Sequence, residues 1–242
     1  MKIDSKKLAS FITKVCANGA IVDCVLKFEQ DGLRITVKEH ASAGGTENSG
    51  CACTGLLRNH AFTDYTPNMV AAVKDVSVLL NTLKDMTGDV DLKLDGNEFV
   101  LTTNGPIAQI AALIMPKEQF VGCNLDKMPS PPFDDGFVVD ATALMLAKKK
   151  FDQFKVPFVI MTTKDGMLSL RAGEDNFDRV TILTSVAYKD ATSKFGEVMM
   201  DIIGVLEGNI SIAFDTEYPA SITEQNEDYV IKWLVAPMTV QE

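Results

Sequence analysis

The sequence predicts an α+β fold of two similar domains, each with two helices packed on antiparallel sheets. Three observations predict it. An apolar strand ending in proline occurs twice, as Ala111-Ala112-Leu113-Ile114-Met115-Pro116 and as Lys232-Trp233-Leu234-Val235-Ala236-Pro237. The same series of elements precedes each. Between them lies Pro129-Ser130-Pro131-Pro132, which neither a helix interior nor a central strand can hold. Two copies of one architecture in 242 residues point to a built scaffold more than to a catalytic pocket. The copies are expected at residues 1–116 and 136–242, with a connecting linker over 117–135.

Each copy opens with apolar residues before an aspartate, Ile3-Asp4 and Val138-Val139-Asp140. A helix pattern follows: Leu8, Phe11, Ile12 and Val15 recur at helical spacing, and so do Leu144, Ala147, Phe151 and Phe154. A shift of 136 (140 − 4) sets Leu8 on Leu144, Lys14 on Lys150 and Val15 on Phe151. Next comes a hairpin turning at Asp31-Gly32 in one copy and at Asp165-Gly166 in the other. Asp-Gly between alternating strands calls for positive φ at both turn positions. Second helices carry Val76, Leu79, Leu80 and Leu83, or Val198, Ile202, Val205 and Leu206. Gly88 and Gly208 are expected to cap them in the left-handed conformation. Short alternating strands at 89–94 and 209–214 complete each copy.

Composition bounds the function. Hydrophobic residues make up 46% and charged residues 23% of the chain, the balance of an ordinary globular protein. No apolar run approaches the ~20 residues that span a bilayer, so no membrane association is expected. Met1-Lys2-Ile3-Asp4 lacks the apolar stretch of a signal peptide, which predicts a protein that is not secreted but cytoplasmic or nuclear. Among five cysteines, Cys51-Ala52-Cys53 is the nearest approach to a metal motif and has no second pair; idle thiols of a reducing compartment are expected. The two histidines, His40 and His60, belong to no nucleophile or metal motif, and neither a phosphate loop nor a nucleophile elbow occurs. Carboxylates cluster at Asp85, Asp89, Asp91 and Asp95, at Asp134 and Asp135, and at Glu224, Glu227 and Asp228. They fall at turns and strand ends, where a solvated surface explains them better than a metal-dependent active site does. No catalytic residue, metal or cofactor is therefore expected. The linker carries Phe120, Val121, Leu125, Met128 and Phe133, which either pin it to the domains or wall a groove for a partner.

The net charge of −10 argues against a nucleic-acid partner unless the cations are segregated. They are unevenly placed. The first helix carries Lys6, Lys7 and Lys14, and its counterpart Lys148, Lys149, Lys150 and Lys155. Lys7 and Lys14 are seven apart, as are Lys148 and Lys155, so each pair shares a helix face. With the apolar stripes on the sheets, these lysines are expected in solvent. Lys-rich outer faces are common on amphipathic helices, but an excess of one sign on both first helices of an acidic chain would attract a phosphate backbone without reading bases. The second helices are more balanced: Lys74 and Lys84 face Asp75 and Asp85, and Lys194 faces Glu197, Asp201 and Glu207.

With these elements in place, the chain resembles the two-domain sliding clamps, the processivity rings of DNA polymerases, in a divergent viral or archaeal version. The resemblance spans nearly the whole length. Its most specific stretch is Tyr218-Pro219 followed by Tyr229-Val230-Ile231-Lys232-Trp233-Leu234-Val235-Ala236-Pro237-Met238; the helix from Asp75 to Gly88 is also similar. The resemblance implies clamp-type domains in a closed homotrimeric ring around double-stranded DNA, with no active site. Lys6, Lys7, Lys14, Lys74, Lys84, Lys148, Lys149, Lys150, Lys155 and Lys194 would face the DNA. Subunits would pair through Ile107, Ile110 and Leu113 on one edge and Arg179, Thr181 and Leu183 on the other. A DNA polymerase and other peptide-motif partners would enter a pocket formed by Leu125, Met128, Pro219, Leu234, Ala236 and Pro237, and a clamp loader would open the ring. Two alternatives stand beside this: a clamp-fold interaction scaffold that does not encircle DNA and, less favoured, a metal-dependent nucleic-acid enzyme.

Overall fold

A computed structural model of the chain describes residues 1–38, 50–95, 98–103, 109–113, 136–154, 157–172 and 180–238. For residues 109–113, 154 and 180–181 it describes the backbone only. Two compact units emerge. Unit 1 comprises Met1–Lys38, Cys53–Met128 and Asn226–Ile231; unit 2 comprises Glu39–Ala52, Pro129–Gln225 and Lys232–Glu242. Neither unit is one continuous stretch of the chain. The expected linker, 117–135, lies outside the described residues.

The first ten elements are β1 (Lys2–Asp4), α1 (Ser5–Val15), β2 (Cys24–Glu29), β3 (Gly32–Lys38), β4 (Cys51–Arg58), β5 (Met69–Val73), α2 (Val76–Asp85), β6 (Asp89–Asp95), β7 (Glu98–Thr102) and β8 (Gln109–Leu113). The next ten are β9 (Phe137–Asp140), α3 (Ala141–Phe154), β10 (Phe158–Lys164), β11 (Met167–Ala172), β12 (Val180–Ser185), β13 (Ala191–Gly196), α4 (Glu197–Ile203), β14 (Asn209–Ala213), β15 (Ala220–Gln225) and β16 (Tyr229–Val235). Both series run strand, helix, four strands, helix, three strands. Their pairing matches as well: β1-β6-β7-β8 corresponds to β9-β14-β15-β16, and β5-β2-β3-β4 to β13-β10-β11-β12. The α+β class and the duplication expected from sequence are thus the observed architecture.

Each opening strand pairs antiparallel with the strand that follows the second helix, Ile3 opposite Val90 and Val139 opposite Ile210. An aspartate then starts each first helix. The Asp4 carboxylate accepts from the Lys7 N–H at 2.9 Å and Asp140 from the Thr142 N–H at 2.7 Å, satisfying donors that a helix start leaves orphaned. In unit 1 the apolar stripe of α1 is fully buried at Leu8, Phe11, Ile12 and Val15, beside Leu79 and Leu83 of α2. Unit 2 buries Leu144, Ala147 and Phe151 of α3 with Val198 and Ile202 of α4. Each such side chain contributes about 1.5–3 kcal/mol on removal from water. The α1 helix lies so close to β4 that a Cβ on Gly55 would stand 2.4 Å from Val15 Cγ2.

Three local expectations are corrected. Asp165 and Gly166 both have positive φ, 51° and 74°, as expected. In the first hairpin Glu29 pairs with Gly32, so Gln30 and Asp31 form the turn, and neither has positive φ. Gly32 does have the expected positive φ, 145°, and a Cβ there would also sit 2.1 Å from the Leu57 carbonyl oxygen. Gly88 and Gly208 have positive φ, 74° and 67°, yet they cap no helix. The helices end at Asp85 and Ile203, with Met86 and Gly204 as C-caps. Their carbonyls instead accept from the first helical N–H of each unit, Ser5 to Gly88 at 2.9 Å and Ala141 to Gly208 at 2.8 Å. Finally, α4 is short, so Val205 and Leu206 lie beyond its end, where Leu206 is still buried.

Candidate nucleic-acid and partner interfaces

The lysines of unit 1 divide into exposed and engaged. Lys6 on α1, Lys74 just before α2 and Lys84 in the last turn of α2 are exposed. Lys7 and Lys14 do share one face of α1, but that face meets protein. Lys7 Nζ lies 2.9 Å from Asp228 Oδ2. Lys14 is only 3% exposed, with its ammonium 5.5 Å from the centroid of the Tyr229 ring. Phe11, one turn earlier, packs its ring 6.0 Å from the same tyrosine. The seven-residue spacing does place both lysines on one face, which turns toward protein instead of solvent. A lysine buried against an aromatic face is a packing element, and Lys14 offers no charge to solvent.

Unit 2 keeps its corresponding lysine free of that fate, since Lys150 and its neighbour Lys149 are exposed. Lys148 is held by both carboxylate oxygens of Asp152, at 2.8 and 2.9 Å. Its stem fills the space where a Cβ on Gly204 would stand, 2.7 Å from Lys148 Cε. Beside it, burial pushes the Asp201 carboxyl up, and the neighbouring Glu197 charge adds to the shift while Lys148 opposes it. The helical layer of unit 2 is therefore of mixed sign. Lys194 stands on β13, not on a helix, with its ammonium 3.8 Å from the centroid of Phe158. Lys155 lies outside the described residues.

Lys194 belongs instead to a groove of about 520 Å³ on unit 2. Its floor is one face of the sheet. Arg171 on β11 lies opposite Ile160 on β10, which lies opposite Lys194 on β13. Thr192, from the same face of β13, donates through its hydroxyl to Thr162 at 3.2 Å. The turn Thr216-Glu217 forms one wall and Pro237-Met238 the other. Both walls are tied to β13. Ser193 Oγ donates to the Asp215 carbonyl and accepts from the Glu217 N–H, each at 2.8 Å. Met238 N–H donates to the Lys194 carbonyl at 2.8 Å. The guanidinium Nε of Arg171 is buried without a hydrogen-bond partner.

Of the pocket residues expected from sequence, Pro237 lines this groove. Pro219, Leu234 and Ala236 are half-buried and do not, and Leu125 and Met128 lie outside the described residues. Sequence reading missed Ile160, Arg171, Thr192 and Glu217. Strand alternation could have placed Arg171 opposite the buried faces of Leu168 and Leu170, but not beside Ile160 and Lys194, because strand order is not a local property.

Each unit also ends a sheet. Strand β8 is paired only to β7, and β12 only to β11, in the strand orders of the described residues. Leu183 on β12 is 61% exposed. Ile110, Leu113 and Thr181 lie in these strands, described by backbone alone; Ile107 and Arg179 lie outside the described residues. Among the described residues, no group of three or more His, Cys, Asp or Glu side chains could hold a metal ion, and no helix is long and apolar enough to cross a membrane.

No family model and no curated protein matches the sequence. Solved structures do match the fold. A chain of the PCNA2–PCNA3 complex from Sulfolobus tokodaii superposes with a TM-score of 0.75 at 17% identity, over 98% of this chain and 99% of that one. Proliferating cellular nuclear antigen from Entamoeba histolytica gives 0.76 at 12% identity, over 98% and 97%. A. fulgidus PCNA, in a complex with the C-terminal region of FEN-1, gives 0.80 at 14% identity, over 100% and 98%. The chain thus has the PCNA-like sliding-clamp fold along its whole length.

Proposed function

We propose that this chain is a DNA sliding clamp: three copies close head to tail around duplex DNA, and the ring tethers a replicative polymerase as its processivity factor. The observation that carries the reading is the doubled fold, matched over 100% of this chain by A. fulgidus PCNA. The unpaired outer edges of β8 and β12 supply the strands that would pair between subunits, which also removes the hazard of open edges. Exposed Lys6, Lys84, Lys149 and Lys150 would meet the phosphate backbone. The contact must be loose and salt-dependent, because a ring that gripped bases could not slide. No bond is made or broken in this function, so the chain acts without catalytic groups. It works inside the cell where DNA is copied, with a clamp loader to open the ring.

The groove on unit 2 is the proposed docking site for a short peptide from the polymerase or another partner. It joins apolar surface at Ile160, Pro237 and Met238 to a few polar groups, the mixture that fixes a ligand's orientation. The FEN-1 complex of A. fulgidus PCNA supports a peptide-type partner.

Light scattering tests the ring. The mass in solution should be three times 26.4 kDa, and a single-copy mass at every concentration rejects it. Retention on DNA tests encirclement: the loaded protein should stay on closed circular DNA and run off once the circle is cut. A second reading, a clamp-fold scaffold without encirclement, is favoured by the Lys148–Asp152 ion pair and by the acidic Glu197 and Asp201 on α4. It predicts equal retention on circular and linear DNA.

A further inference from the structure

We propose that Arg171 makes the unit 2 groove selective for partner peptides that carry a carboxylate side chain beside their apolar anchor. This rests on the groove being the peptide site. Arg171 lines the groove, and its Nε is buried without a hydrogen-bond partner. A guanidinium carries five donors in a rigid fork and stays charged at any physiological pH. Leaving such a donor buried and unmet is costly, and Nε is left in that state. Among the described side chains lining the groove, none supplies an acceptor. Ile160, directly opposite on β10, is apolar. The Lys194 ammonium sits over the Phe158 ring on the far side of Ile160. Glu217 is the acidic lining residue, but the Ser193 hydroxyl pins its backbone to β13, and it forms no ion pair with Arg171. Among the described lining residues Arg171 and Lys194 are cationic and Glu217 is acidic. A carboxylate meets a guanidinium through two parallel hydrogen bonds, which a neutral amide cannot match in strength. Ile160, Pro237 and Met238 would hold the apolar side chain that accompanies it.

The test is a peptide selection on the intact protein. A phage-displayed library of random short peptides is panned on the wild type and on Arg171→Met, with thermal melting to verify that both fold. The best wild-type peptide is then synthesised with Glu or Gln at its enriched acidic position and titrated by fluorescence anisotropy. The Glu form is expected to bind the wild type about tenfold tighter than the Gln form. In Arg171→Met the two forms should bind alike, and Arg171→Lys should recover part of the preference. Thr192→Trp, which fills the groove, should abolish binding of both forms. Equal binding of Glu and Gln to the wild type, with Thr192→Trp still blocking both, overturns the role of Arg171 and leaves the docking site standing. Binding that survives Thr192→Trp, or a selection that enriches nothing, overturns the docking site and the selectivity together.

Discussion

At matched positions the first helices of the two units keep most of their apolar stripe and part company over their charges. Leu8 and Leu144 are both buried, and so are Val15 and Phe151. Lys14, by contrast, is sealed against Tyr229 while Lys150 stands in solvent. The divergence continues one step along the helix. Ile12 is fully buried in unit 1, whereas its counterpart Lys148 lays a stem along Gly204 and ties its tip to Asp152. Three of the four stripe positions of the first helix thus stay apolar in both units, and the edge of the stripe is free to change from packing to charge.

The sharpest way to break the comparison is charge reversal at the matched lysines. Lys14→Glu would put a carboxylate where a cation is now buried and is expected to cost about 3 kcal/mol or more. Lys150→Glu should stay within about 0.5 kcal/mol. Urea unfolding of the two variants measures the difference, and equal costs would mean that Lys14 is as solvated as Lys150. DNA binding should rank them the other way, with Lys150→Glu reducing the salt slope by about one.

Next in size are the two close glycines. Gly55→Ala must push its methyl into Val15 and Phe11, which are packed in the core, and is expected to cost about 1–3 kcal/mol. Gly204→Ala meets the movable stem of Lys148 most closely, with the Asp201 carbonyl oxygen 3.2 Å away, and its helical φ of −66° suits alanine. It should be neutral within about 1 kcal/mol. Matching losses in melting temperature would undo the contrast between a rigid and a yielding neighbour.

The smallest effect is specific to unit 2. Burial and then Glu197, four residues earlier, hold the Asp201 pKa above its unfolded value. A raised carboxyl contributes stability when protonated, and that contribution is lost as pH rises through its folded pKa. Asp201→Asn should accordingly stabilise the protein by about 0.2–0.5 kcal/mol at neutral pH, and the gain should vanish below the ordinary carboxylate range. A gain that persists into acid would assign the effect to something other than the charge.

Much of the fold is legible from short-range pattern. Asp4 and Asp140 read as helix starts because a capping carboxylate acts within three residues, and both do cap. Asp165-Gly166 reads as a turn for the same reason. Gly32, Gly88 and Gly208 do have positive φ, but they also serve distant partners that no local pattern shows, the β4 backbone in one case and the first helical amides in the others. Lys14 failed on the same ground, since nothing near it in sequence announces Tyr229. The groove was legible only at Pro237, because its other residues come from three strands, the Thr216-Glu217 turn and Met238, whose arrangement the local pattern does not encode.

The carbonyls of Gly88 and Gly208 have a consequence for how the chain acquires its shape. The opening amide of α1 finds its acceptor only when Gly88 arrives, so a nascent chain carries an unfinished helix until most of unit 1 has left the ribosome. Contacts so far apart in sequence slow the search for the native state. Each half should consequently fold as a late, all-together event during synthesis rather than from its first helix outward.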